Sequence, residues 1–306
     1  MNNKIININT FEINKIPALK QVDNTAYKLL NAYLSHDYAY FEEIFYKDAF
    51  LCDLTLKVLS FVTENQIENI RNTNMKDMLI NFKHNTVFNY ECALSLILGL
   101  SLQRFWLSSL DLCDTQAGKE YYLEHMKSIL YIAYKIFLKN SFLQKQNNFA
   151  DIILILSTHN IGLGILSGLF KIEYNLLLCL AKKNPNSSLL TLEKNLSAMK
   201  ISTNLCSSGF ICHAKIGAIA LNKWGLPQKF VESILWHYQD YSGGQFENYI
   251  YFLQLCDFIL AKYNKSYIKS KKIPNSILKY FDNLDLNMSL TWLETKKDKE
   301  ADFDLI

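Results

Sequence analysis

Nineteen consecutive residues, Ile152 to Phe170 (IILILSTHNIGLGILSGLF), contain no Asp, Glu, Lys or Arg, yet His159 and Asn160 sit at their centre. On a helix, Ile152, Ile155, Leu156, His159, Leu163 and Leu166 share one face, which is apolar except at His159. A helix that is apolar nearly all round belongs at the centre of a fold, packed on several sides. A polar pair placed there must find partners or cost stability. The question for the rest of the chain is therefore which groups meet His159 and Asn160.

The same stretch is long enough to raise the question of a membrane span. Its interior His–Asn pair, its Ser, Thr and Gly residues and the lack of a comparable second run favour a buried helix, so no membrane span is expected. Half of the 306 residues are apolar and a fifth are charged, which supplies a large core and excludes a disordered chain. Ten Gly and four Pro leave little punctuation for the turns of an all-β fold. The expected class is all-α, a multi-helix bundle. A net charge of +3 without a large single-sign block gives no reason to expect a nucleic-acid or acidic-lipid partner. The basic segment Lys265 to Lys272 reads as a solvated loop.

Seven cysteines without a C-x-x-C pair do not form a disulfide framework. Cys52, Cys92, Cys179 and Cys256 lie in apolar runs and read as small buried hydrophobes, as in a reducing cytoplasm. The opening MNNKIININTFEINKIP has no apolar h-region, so no signal peptide is read and a cytoplasmic location is expected.

Periodicity and capping residues predict helices over 24–35, 38–46, 48–63, 75–82, 90–112, 119–139 and 147–169. Further helices are predicted over 174–182, 189–200, 212–224, 227–238 and 248–263, with a short one past Ile273. Leu51, Leu54, Val58 and Phe61 should form the buried stripe of the third. Trp224, at the corner before Gly225 and Pro227, is expected to be largely buried.

Four of the six histidines stand at position 125 or later, each beside apolar residues on a helical face. His125 falls with Tyr122, Ile129, Ile132 and Ile136, and His213 with Ile216, Gly217, Ala220 and Trp224. His237 follows Phe230 and Ile234, while Asp257 lies between Leu253 and Leu260. An aspartate on such a face rarely goes without a partner. Helical bundles build metal sites from side chains projecting inward on separate helices, and imidazole with carboxylate suits zinc, iron or manganese. Spacing alone leaves open the plainer alternative that each histidine satisfies a local carbonyl.

Several stretches resemble the HDOD domain, a divergent branch of the HD metal-dependent phosphohydrolase superfamily found in bacterial signalling proteins. Ile16-Pro17-Ala18-Leu19 is similar to its opening segment, and Asp48-Ala49-Phe50-Leu51 to its D-P-x-L helix, with Ala49 in place of Pro. Thr158 to Leu166 (THNIGLGIL) resembles L-H-D-I-G-x-L-x-L. Cys212 to Tyr238 resembles H-x-x-x-G-x-x-L-x-x-x-W-x-L-P followed by I-x-x-H-H, and Gly162, Gly217, Trp224, Leu226 and Pro227 stand at structural positions of these motifs. The resemblance covers Ile16 to Lys262. It implies a residue 1–15 extension, an HDOD-like domain over 16–265 and a partly frayed helical tail over 266–306. Within the domain, an N-terminal lobe would run to about 112 and an HD-like lobe would follow from about 119.

The resemblance assigns His125, His159, His213, His237 and Asp257 to metal-ligand positions. Two positions depart from the pattern: Asn160 replaces the aspartate of the HD pair, and Tyr238 replaces the second of two tandem histidines. Asn160 offers a neutral carbonyl where a two-metal hydrolase needs an anionic ligand. The resemblance with this loss implies no catalytic residues and at most one weakly bound divalent transition metal. It implies a non-catalytic signalling or regulatory protein acting on a protein partner or a nucleotide-like ligand. The alternative is a residual metal-dependent phosphohydrolase that tolerates Asn160.

Overall fold

A computed structural model of the chain describes residues 24–63, 75–83, 88–107, 118–139, 148–199, 212–239, 241, 244–261 and 277. Among these residues the protein is helical and has no strand, so the fold is all-α. The helices are α1 (Asn24–Leu34), α2 (Tyr38–Tyr46), α3 (Ala49–Thr63), α4 (Met75–Phe82), α5 (Tyr90–Leu107) and α6 (Lys119–Lys139). They continue with α7 (Phe149–Thr158), α8 (Ile161–Leu169), α9 (Lys171–Lys183), α10 (Leu189–Ala198), α11 (His213–Lys223), α12 (Gln228–Trp236) and α13 (Glu247–Ala261). The Ile16–Leu19 motif, the Lys265–Lys272 segment and the helix expected past Ile273 fall outside the described residues, Ile277 excepted.

Every residue of α7 is buried. It lies against α5 along its length and is enclosed by α6, α12 and α13. The Phe149–Leu169 stretch is long and apolar enough to cross a membrane, yet 89% of its most apolar window is buried inside the fold. Asn148 starts α7 by accepting a hydrogen bond from the Ala150 amide at 3.0 Å, filling one orphan donor of the helix end. Asp37, Asp48 and Ser188 likewise receive amides of the opening turns of α2, α3 and α10.

The predicted single helix over 147–169 is instead two. The Ser157 and Thr158 hydroxyls donate back to the Leu154 carbonyl at 3.1 and 2.6 Å, a pattern that bends helices. Asn160 then adopts φ −101°, ψ 11°, and its carbonyl receives the Leu163 amide at 2.9 Å to begin α8. In an unbroken helix neighbouring side chains diverge by about 100°. The break lets His159 and Asn160 face the same interior.

Other differences have local causes. The buried stripe of α3 is Leu51, Thr55, Val58, Leu59 and Val62, because the helix touches both α5 and α6. Leu54 and Phe61 stand at its edges. Helix α9 begins at Lys171, directly after α8, rather than at Tyr174. Helix α12 ends at Trp236, so His237 and Tyr238 lie in the turn beyond it. Cys179 is exposed and Cys52 half-buried, whereas Cys92 and Cys256 are buried as expected.

Trp224 is half-buried rather than largely buried; Leu226 is the residue of that corner that enters the core. Gly225 makes the corner possible with φ +81°, a conformation L side chains rarely adopt. The Leu226 amide then reaches the Leu221 carbonyl at 3.0 Å, closing α11, and Pro227 leads into α12.

Candidate functional site

The five polar residues singled out from the sequence come from α6, the α7–α8 break, the start of α11, the end of α12 and α13. His125, His159, His213, His237 and Asp257 are all buried, the most exposed of them at 2%. The four imidazoles form a continuous series. Ring centroids are 5.1 Å apart for His125 and His159, 5.6 Å for His159 and His237, and 5.4 Å for His237 and His213. Tyr238 packs against His237 at 4.0 Å and His213 at 5.3 Å, so the second tandem-histidine position carries an aromatic wall.

Steric matching of two helices sets this geometry. A Cβ on Gly162 would lie 1.8 Å from the His213 carbonyl oxygen and 2.7 Å from the Gly217 amide. Helices α8 and α11 therefore cross backbone against backbone at these two glycines. That crossing holds the start of α11, and with it His213, beside the His159–Asn160 break.

Hydrogen bonding fixes the tautomers. His159 Nδ1 faces the Leu156 carbonyl at 2.7 Å and His237 Nδ1 faces the Ile234 carbonyl. A carbonyl can only accept, so both Nδ1 atoms carry the proton and both Nε2 atoms carry a lone pair. Burial, reinforced by neighbouring imidazoles, pushes the pKa values of His159 and His237 well below the ordinary histidine value. Both rings are neutral at neutral pH.

The Nε2 lone pair of His159 is crowded. His125 Nε2 lies 2.9 Å from it, and Asn160 Nδ2 approaches to 2.7 Å. Asp257 Oδ1 is 3.5 Å from His125 Nε2, and the ligand atoms of His125, His159 and Asp257 all lie within 4.8 Å of one another. Bonds of about 2.1 Å to one ion place adjacent ligand atoms about 3.0–3.4 Å apart, octahedral to tetrahedral. The His125–His159 and His125–Asp257 separations, 2.9 and 3.5 Å, lie at the edges of that range. Asn160 Oδ1 and His237 Nε2 are buried acceptors that make no hydrogen bond among the described residues. With the Asn160 amide turned away from His159 Nε2, two nitrogens, a carboxylate and further lone-pair donors would suit one divalent transition ion.

Among the described residues, the groups beside the site include no activated nucleophile. Burial, and secondarily Glu193, pushes the Cys212 thiol up to about 12, leaving no appreciable thiolate at neutral pH. The Ser157 and Thr158 hydroxyls are committed to the Leu154 carbonyl.

Two parts of the site escaped the sequence reading. Glu193 on α10 is fully buried and accepts from His213 through both the ring Nδ1 at 2.7 Å and the backbone amide at 2.8 Å. Its signal was a carboxylate on the Leu189–Leu192–Leu196 stripe, the same cue that marks Asp257. Asp151, at the start of α7, receives Lys229 Nζ from α12 at 2.6 Å and the Tyr249 hydroxyl from α13 at 3.0 Å. This brace ties together the helices that lead to His159, His237 and Asp257.

A search of solved structures finds a likeness to a crystal structure from Marinobacter aquaeolei VT8 described as a "Putative signal transduction protein". The TM-score is 0.61 at 15% identity, covering 92% of this chain and 58% of that one. The chain thus spans somewhat over half the length of that protein, and at this identity the likeness concerns the fold. No family model and no curated protein matches the sequence.

Proposed function

We propose that this chain is a non-catalytic signalling or regulatory protein with an HDOD-type fold, acting in the bacterial cytoplasm through a protein or small-ligand contact. One observation carries the reading. Where a two-metal phosphohydrolase needs an anionic bridge, the Asn160 amide donates to His159 Nε2. A neutral amide neither anchors a second cation nor compensates its charge, so the cluster holds at most one divalent transition metal, in a structural or regulatory role. The signalling description of the Marinobacter structure agrees with this reading.

The His125–His159–Asp257 trio favours a second reading, a residual phosphohydrolase working with a single metal. Turnover of cyclic nucleotides and nucleotide phosphates, assayed with manganese, iron, zinc and magnesium supplied separately, decides between them. The expected rate is that of buffer. Metal-dependent turnover that disappears in His159→Ala would establish the enzyme instead.

A further inference from the structure

We propose that Glu193 is a positioning residue of the histidine cluster: it holds His213 as the Nδ1–H tautomer, with the Nε2 lone pair left to face one divalent cation. The inference rests on the metal reading above and assigns a role to a residue outside the set of direct ligands.

The contact is specific in three ways. Glu193 lies at 0% exposure between Leu192 and Leu196, where a carboxylate has no solvent to face. Its Oε1 alone takes both His213 contacts, ring Nδ1 and backbone N. The backbone contact has an ordinary explanation: Cys212 gives α11 no side-chain cap, and an anion near an N-terminus satisfies an orphan amide. The ring contact exceeds what capping needs. It makes Nδ1 the donor, and in a neutral ring that places the lone pair on Nε2, the form a metal-binding or hydrogen-bond-accepting imidazole requires.

The second carboxylate oxygen sharpens the point. Glu193 Oε2 is buried and makes no hydrogen bond among the described residues, and no Lys or Arg among them pairs with this carboxylate. A carboxylate behind a histidine also raises the basicity of that ligand, and losing such a partner typically weakens metal binding about 10–100-fold.

The test uses the full chain, stripped with chelator and titrated with Co²⁺ under chelator competition, with the visible ligand-field bands as readout. Wild-type protein should bind one Co²⁺. Glu193→Gln keeps an acceptor of the same shape and removes the charge; it should remain folded and bind about 10–100-fold more weakly. Binding within twofold of wild type would overturn a role for Glu193 in presenting His213 to the cation. Failure of the wild-type protein to take up Co²⁺ would overturn that role together with the metal reading. The tautomer is read separately, from the ¹⁵N imidazole shifts of His213 in the metal-free protein. Nδ1–H in the wild type, lost in Glu193→Ala, supports positioning by Glu193. Nε2–H in the wild type, or an unchanged pattern in both Glu193→Gln and Glu193→Ala, overturns it.

Discussion

Replacing Gly162 by alanine pits two effects of opposite sign against each other. Alanine is the better helix former by about 1 kcal/mol in a helix interior, so at an open position the change would stabilise α8. Here the added methyl would stand 1.8 Å from the His213 carbonyl oxygen and 2.7 Å from the Gly217 amide. Both obstacles are backbone, so no rotamer change relieves the overlap; α8 and α11 must separate by more than an ångström. Overpacking of this kind costs about 1–3 kcal/mol and occasionally more, and a backbone clash belongs at the upper end. After the propensity gain, Gly162→Ala should lose about 2 kcal/mol by urea denaturation, with the midpoint falling and the slope unchanged. The displacement also carries His213 away from His159, so Co²⁺ binding should weaken in parallel. Gly217→Ala is the control: its nearest neighbours lie at 3.2–3.3 Å and need give only slightly, so its loss should be clearly smaller. A Gly162→Ala protein as stable as the wild type would refute the argument that backbone contact sets this crossing.

Lys229→Met should cost about 2–3 kcal/mol by denaturation, because it leaves the Asp151 carboxylate without its ammonium partner; Tyr249→Phe should cost about 1 kcal/mol. Trp224→Ala, at a half-buried indole, should cost less than the about 3 kcal/mol typical of a fully buried one. In chelated protein, His159 and His237 have folded pKa values below the unfolded value of about 6.5, so the unfolded chain takes up protons first as pH falls. Stability should therefore be level above about pH 6.5 and fall below it, by up to about 2.7 kcal/mol per pH unit when both rings contribute. Urea midpoints between pH 5 and 8 check this, and a flat profile would contradict the neutral, buried state of the two rings.

The helical class was legible because 3.6-residue periodicity runs along most of the chain and Gly225 marks a helix end where the backbone takes a positive φ. The break at His159–Asn160 was not, since it depends on hydroxyl back-bonds that compete with an otherwise perfect helical pattern. Burial at Trp224 and Cys179 was overestimated for one reason: a helical stripe shows which residues share a face, but the neighbours decide how far that face is covered. The polar residues of the site stood out as exceptions on apolar faces. Glu193 and Asp151 met a weaker form of the same criterion, Asp151 at the very edge of the uncharged run. Their importance comes from partners 20, 78 and 98 residues away, which no local window contains.

Those separations bear on the order in which the protein assembles. Contacts between distant parts of a chain form only after the intervening loops have closed, at an entropic cost that local helical turns do not incur. The Asp151 brace joins segments 78 and 98 residues apart, so its bonds belong with the late events of folding. The aligned histidines therefore report completion: a chain still missing α13 has neither Asp257 nor the Tyr249 tether, however well α5 and α7 have already paired. A chain truncated before α13 would carry the four histidines without the carboxylate that faces His125.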